Sequence, residues 1–111
     1  MDVTERLREA VLTVVPVCVP DVYDGEEEIY CTFSIDHSPE AEGDNYPTQM
    51  LHRVQLHLLC PPASRYDPRD LRRRLCRAVA AAGFTYPSAT NASDLDEGHL
   101  VFECEDVDGD F

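Results

Sequence analysis

Ile29-Tyr-Cys-Thr-Phe-Ser-Ile-Asp36 and Gln49-Met-Leu-His-Arg-Val-Gln-Leu-His-Leu-Leu-Cys60 are two segments that alternate in the manner of half-buried β-strands. Successive side chains of a strand point to opposite faces, so residues of one parity share a face. The apolar residues of the first segment share one parity and predict one apolar sheet face: Ile29, Cys31, Phe33 and Ile35. The second segment carries apolar residues on both parities, and we predict that it is the more central strand.

A polar stretch, residues 37–48, separates these two strands and is far longer than the loop that usually closes a hairpin. We therefore predict a hairpin with a protruding arm. The acidic side chains of Glu42 and Asp44 repel each other, so we expect the arm to be mobile in the free protein and ordered by a partner. Tyr46, between Asn45 and Pro47, is the predicted anchor for that contact. The alternative is a tolerated surface insertion with no role.

Helical spacing appears before and after the hairpin. Asp2 is a predicted N-cap with Glu5 three positions later, and Pro16 lies beyond the end of that helix. Asp67 and Pro68 predict the start of a second helix, which runs to about residue 82 and stops at Gly83. One face of the second helix is apolar, and the opposite face repeats arginine at Arg69, Arg73 and Arg77.

The remaining segments complete an α+β fold. Val17–Val19 is bracketed by prolines and predicts a short edge strand, and an acidic turn region follows at Asp21–Glu28. The pattern predicts a strand start at Phe84–Tyr86, a second polar loop at Ser88–Gly98 and the last strand at His99–Glu105. The acidic tail, residues 106–111, is expected to fray. We predict a mainly antiparallel or mixed sheet of about four strands, with two helices packed on one face and a long β-hairpin arm.

Composition restricts the classes of function. The chain has 111 residues, which predicts one domain, residues 1–111, with a surface function and no deep active site. The formal charge of −13 argues against DNA or an anionic membrane as a partner. The sequence contains neither a long apolar run nor a signal-peptide pattern, so we expect synthesis and retention in a cytoplasm.

No catalytic, cofactor-binding or metal-binding residue is predicted. Glycine-rich phosphate loops and hydrolase motifs are missing from the sequence. The five cysteines have no paired spacing and lie in apolar patterns, which is typical of buried thiols in a reducing compartment. His52 and His57 differ by five positions and are predicted to lie on opposite faces of one strand, which argues against a shared metal ion.

The arrangement of strand, arm, strand and arginine helix resembles the small tail-terminator and tail-completion proteins of long-tailed bacteriophages and prophages. The resemblance covers nearly the whole chain as a pattern of elements. Its matching residues are Tyr30-Cys-Thr-Phe33, Pro39, Asp44-Asn45, His52–Leu58, the series Leu71, Leu75 and Ala78 leading to Ala82-Gly83-Phe84, and His99-Leu-Val-Phe-Glu103. The chain departs from some relatives in its paired Pro16 and Pro20 and in its arginine-dense second helix.

The resemblance implies a structural protein without catalytic residues or cofactor. Such a protein is made in the bacterial host cytoplasm and resides in the virion tail. It caps the tail tube as a ring, usually of six copies, and contacts the major tail tube protein and the head-tail connector proteins. DNA passes through that ring without tight binding. Two alternatives stay open: a neck protein that joins head to tail, and a free acidic inhibitor that mimics nucleic acid.

For a ring, we expect the Arg69, Arg73 and Arg77 stripe to face carboxylates of the next subunit, such as those of Asp21–Glu28. The alternative is that these arginines are paired within their own subunit or solvated.

Overall fold

A computed structural model of the chain describes residues 2–41, 47–61, 67–91 and 98–108. Its elements, in chain order, are α1 Val3–Leu12, β1 Cys18–Pro20, β2 Tyr30–Ala41, β3 Pro47–Leu59, α2 Pro68–Ala81, β4 Ser88–Asn91 and β5 His99–Asp108. The strands form a five-stranded sheet in the order β1-β2-β3-β5-β4, in which β1 is parallel to β2 and the other pairs are antiparallel. The predicted α+β class is confirmed, with five strands where about four were expected, and β3 is the central strand as predicted.

Both helices begin at the predicted caps. The Asp2 side chain accepts a hydrogen bond from the Glu5 amide at 2.9 Å, and the helix ends at Leu12, before Pro16. In α2 the Asp67 side chain accepts from the Arg69 amide at 3.0 Å, with Pro68 at the first helical position. Gly83 follows the helix with φ of 105°, a left-handed conformation that glycine adopts without a steric penalty.

The β2–β3 hairpin is longer than the sequence pattern predicted. Pairing continues from Tyr30 opposite Leu59 to Ala41 opposite Pro47, with an irregularity between Glu40 and Ala41. Residues 37–41 and 47–48 therefore belong to the strands β2 and β3, and their assignment to a loop was wrong. Strand pairing uses backbone N–H and C=O groups, which polar residues carry as well as apolar ones. A polar sequence therefore does not by itself end the hydrogen bonding between two strands. The rest of the predicted arm, residues 42–46, lies outside the described residues.

The chain after α2 also differs from expectation. The strand β4 lies at Ser88–Asn91, inside the predicted polar loop, whereas Phe84–Tyr86 forms no strand. Pro87 separates the two segments. The Thr85 amide donates a hydrogen bond to the Glu105 carbonyl, and the Thr85 hydroxyl accepts one from the Glu105 amide. The last strand extends to Asp108, so Asp106 is part of the sheet and is not part of a frayed tail.

The core lies between the helices and one face of the sheet. Fully buried side chains come from α1 (Leu7, Val11), α2 (Leu71, Leu75, Val79) and the strands (Cys31, Leu56, Leu58, Phe102). Both helices therefore cover one face, as predicted, and leave the other face of β2, β3 and β5 uncovered by any described helix. All five cysteines are buried free thiols. Among the described residues, neither helix is long and apolar enough to cross a membrane.

Candidate functional site

The outward side of α2 carries five exposed arginines, here named the arginine surface: Arg69, Arg72, Arg73, Arg74 and Arg77. The helix places them there because Leu71, Leu75 and Val79 recur at helical spacing and turn toward the core. Arg74 pairs with Asp70 at 3.7 Å one turn earlier. No other arginine of this surface has an ion-pair partner within the described parts of the chain. The structure thus brings the three predicted interface arginines onto one exposed surface.

The connection from β1 to β2 forms a second charged surface, the acidic segment, with five exposed carboxylates: Asp21, Asp24, Glu26, Glu27 and Glu28. Its conformation is organised by Tyr23, whose hydroxyl accepts a hydrogen bond from the Glu27 amide at 3.0 Å. The Tyr23 ring also packs against the Tyr30 ring, with centroids 4.7 Å apart. No ion pair among the described residues joins the acidic segment to the arginine surface. Both charged surfaces are therefore available to another molecule.

The uncovered sheet face forms a shallow polar depression. Its lining includes Ser34, Asp36, Arg53, Gln55, Glu103 and Glu105. Arg53 and Glu105 lie 3.8 Å apart with both side chains about half exposed, a geometry that contributes little to stability. Sequence parity places these polar residues on one face, but alternation by itself does not indicate a functional surface.

All four histidines of the chain stand in cross-strand pairs. Nδ1 of His37 lies 2.6 Å from Nδ1 of His52 on the helix side of the sheet. Nδ1 of His57 lies 2.8 Å from Nε2 of His99 on the uncovered face. The prediction that His52 and His57 occupy opposite faces is confirmed by these positions. The pairs themselves were missed, because parity gives the face of a residue but not its neighbour on the next strand.

His52 neighbours an ion pair whose carboxylate is buried. Asp106 stands directly opposite His52 in the β3–β5 register, and the Asp106 carboxylate pairs with Arg6 of α1. The Arg6 guanidinium also lies 4.8 Å from the centroid of the Phe84 ring. His52 and Asp106 are among the few buried polar residues of the described chain, and neither was predicted to have a structural role.

Burial sets the titration of several groups. It raises the pKa of the Cys18 and Cys104 thiols to about 12, and raises those of Cys31 and Cys76. The pKa of His57 is lowered by its partial burial and, secondarily, by the neighbouring His99. These four thiols are therefore protonated and unreactive near neutral pH.

The remaining predicted interface residues, Glu42, Asp44, Asn45 and Tyr46, lie outside the described residues. Within the described residues, no group of three or more His, Cys, Asp or Glu side chains is arranged to hold a metal ion. The sequence matches no protein-family model, and a search of curated proteins gives no match.

Proposed function

We propose that this chain is a structural protein of a long-tailed bacteriophage or prophage that caps the tail tube as a ring and provides the junction to the head connector. The proposal starts from the sequence resemblance and takes its main structural support from one observation. A single small subunit exposes an arginine surface on α2 and an acidic segment between β1 and β2, and no described ion pair joins the two.

Two unlike patches on one subunit are what a heterologous interface requires. The arginine surface of one copy would contact the acidic segment of the next copy. If the rotation between successive copies returns to the first copy, the product is a closed ring. Exposed guanidinium groups also form bidentate contacts with carboxylates, which favours a defined geometry between copies. We therefore propose that Arg69, Arg73 and Arg77 contact the acidic segment of the neighbouring subunit, in a ring of six copies.

The experiment is a charge reversal with a charge-swap rescue. The double variant Arg73→Glu with Arg77→Glu should lose assembly, as measured by light scattering on the chain alone and in the presence of tail tubes. Adding Glu26→Arg and Glu27→Arg to the same chain restores opposite charges and should restore assembly. Arg53→Glu is the matched control, since Arg53 is an exposed arginine on the uncovered sheet face, away from α2.

Thermal unfolding of each variant separates a lost interface from a lost fold. Unchanged assembly in a stable double variant would contradict the role of the arginine surface. Binding to isolated head connectors without binding to tail tubes would favour the alternative of a neck protein.

A second candidate function is a free acidic inhibitor that mimics nucleic acid. The observation that favours it is the concentration of exposed carboxylates in the acidic segment, together with the formal charge of −13. An inhibitor would stay monomeric or dimeric with tail tubes present and would bind a basic nucleic-acid-binding protein in a salt-dependent manner.

A further inference from the structure

We infer that the His57–His99 pair on the uncovered sheet face is a chelating site for a divalent transition-metal ion of the Cu²⁺ or Ni²⁺ type, with water completing the coordination. The two residues come from the adjacent strands β3 and β5. Their facing nitrogens, Nδ1 of His57 and Nε2 of His99, are 2.8 Å apart. Neutral imidazole nitrogens are common ligands for these ions.

The separation of the two nitrogens favours one coordination geometry. A metal ion about 2.0–2.1 Å from both nitrogens would subtend an angle of roughly 85–90° between them. That is the angle between neighbouring ligands in square-planar or octahedral coordination, which suits Cu²⁺ and Ni²⁺. Tetrahedral zinc would need a wider separation of about 3.4 Å. We therefore expect this site to prefer Cu²⁺ and Ni²⁺ over Zn²⁺. The ratio of their affinities to that of Zn²⁺ should be larger than the Irving–Williams order alone predicts.

A neighbouring amide orients the first ligand. Oε1 of Gln55 accepts a hydrogen bond from Nε2 of His57 at 3.1 Å. The proton of neutral His57 is thereby held on Nε2, which leaves the lone pair on Nδ1, the atom that faces His99. Metal-binding histidines are oriented in the same way, by a hydrogen bond from the second ring nitrogen to an oxygen acceptor. In the metal-free chain Nε2 of His99 is then the donor to Nδ1 of His57. A bound metal ion would replace this hydrogen bond, and the proton of neutral His99 would lie on Nδ1.

The position of the pair also allows water ligands. Both histidines are half-buried on a face that no described helix covers, so solvent reaches the remaining coordination positions. Glu103 lies opposite Gln55 in the β3–β5 register, and carboxylates such as this one raise the local concentration of cations.

The other histidine pair serves as the matched control. Its nitrogens are 2.6 Å apart, which narrows the angle at a shared metal to roughly 80°. His52 is buried, and its neighbour Asp106 is already paired with Arg6, whose positive charge opposes a bound cation. We therefore expect metal binding at His57 and His99 and not at His37 and His52.

The test uses the full chain without a polyhistidine tag, titrated with Cu²⁺ or Ni²⁺. Metal at one hundred times its dissociation constant should raise the folding equilibrium constant about a hundredfold, and EDTA should reverse this. The nitrogen hyperfine pattern of bound Cu²⁺ should report two imidazoles. His57→Gln and His99→Gln should each abolish the stabilisation, whereas His37→Gln should retain it, each variant being compared with itself in EDTA.

Three results would overturn the inference. The first is no stabilisation of the unmodified chain by either ion. The second is stabilisation that survives both His57→Gln and His99→Gln, which would place the binding elsewhere. The third is loss of the effect in His37→Gln, which would point to the other pair.

Discussion

Arg6 and Asp106 form an ion pair, with Nη2 and Oδ2 2.5 Å apart, that joins the first helix to the last strand. The Asp106 side chain is 9% exposed and that of Arg6 is 31% exposed, so the carboxylate has exchanged most of its water for the guanidinium. Arg6 also stacks over Phe84, which connects α2 to β4. Nε of Arg6 is buried and has no hydrogen-bond partner among the described residues. Arg6 of α1 therefore contacts both the last strand, through Asp106, and the connection between α2 and β4, through Phe84.

Removing the carboxylate should destabilise the fold. Asp106→Asn leaves the partly buried Arg6 guanidinium without its counter-ion, and we expect it to lower the free energy of unfolding by roughly 2 kcal/mol. Urea denaturation measures this quantity. Arg53→Met is the control, because the exposed Arg53–Glu105 pair should contribute no more than about 0.5 kcal/mol. Equal effects of the two substitutions would contradict a structural role for Asp106.

The buried thiols should make stability fall in alkaline solution. In the unfolded chain a thiol ionises with its ordinary pKa of 9.0, whereas burial raises the pKa of Cys18 and Cys104 to about 12 in the folded protein. Unfolding therefore releases protons between these values. The stability that these two thiols contribute is fully present below pH 9 and is lost as the pH rises toward 12. Measuring the free energy of unfolding from about pH 8 to about pH 11 checks this prediction. The free energy of unfolding should decline less with pH in Cys104→Val, which lacks one of the two thiols.

The same burial predicts slow alkylation of the native protein. At about pH 8 iodoacetamide should leave the five cysteines unmodified in the folded chain and should modify all of them in urea, as counted by mass spectrometry. Rapid labelling of one native thiol would show that its site opens to solvent in the folded protein.

Gly98 should not tolerate alanine. Its carbonyl accepts a hydrogen bond from the Cys60 amide at 2.8 Å, and a Cβ at Gly98 would collide with the Cys60 carbonyl oxygen. Because that obstacle is backbone, the strand ends must shift, and we expect a loss of more than about 1 kcal/mol. Gly83→Ala is the comparison: there only the left-handed φ of 105° opposes the substitution, at about 1 kcal/mol. Thermal midpoints should rank Gly98→Ala below Gly83→Ala.

Duplex DNA should bind weakly. The chain carries a formal charge of −13, and neutralisation of phosphates by basic groups is what generates nonspecific affinity. At physiological salt we expect no retardation of duplex DNA in a gel-shift assay at micromolar protein. Tight, salt-sensitive binding that is lost in Arg73→Glu with Arg77→Glu would instead identify the arginine surface of α2 as a nucleic-acid surface.

Local patterns were sufficient for the helices and for the faces of the long strands. Asp2 and Asp67 cap their helices through side-chain contacts only two or three residues away, which a sequence displays directly. Parity likewise placed Phe33 on the apolar face of its strand, which is the core face, and set His52 and His57 on opposite faces of theirs. These predictions succeed because each depends on neighbours in the sequence.

Features that depend on register could not be predicted. A hairpin closed by a loop at residues 37–48 would set Asp36 opposite Gln49, whereas Asp36 lies opposite Arg53. That shift of four residues in register brings His37 opposite His52. The register between two strands cannot be read from the residue pattern of either strand alone. The strand β4 was missed for another reason: its four residues are all exposed, so there is no apolar alternation to detect. The charged surfaces lie at predicted positions, but their partner is not encoded in any local pattern.

The edges of the sheet have a consequence for how copies of this chain can meet. At one edge β1 has three residues and ends in Pro20, and at the other β4 has four. Beyond Phe33 the outer side of β2 has no described strand, and Pro39, which lacks an amide proton, interrupts its row of donors. Open edges invite strand-to-strand aggregation, and short or proline-bearing edges discourage it. The short and proline-bearing edges therefore favour contacts through side chains over strand addition wherever two copies of this chain meet.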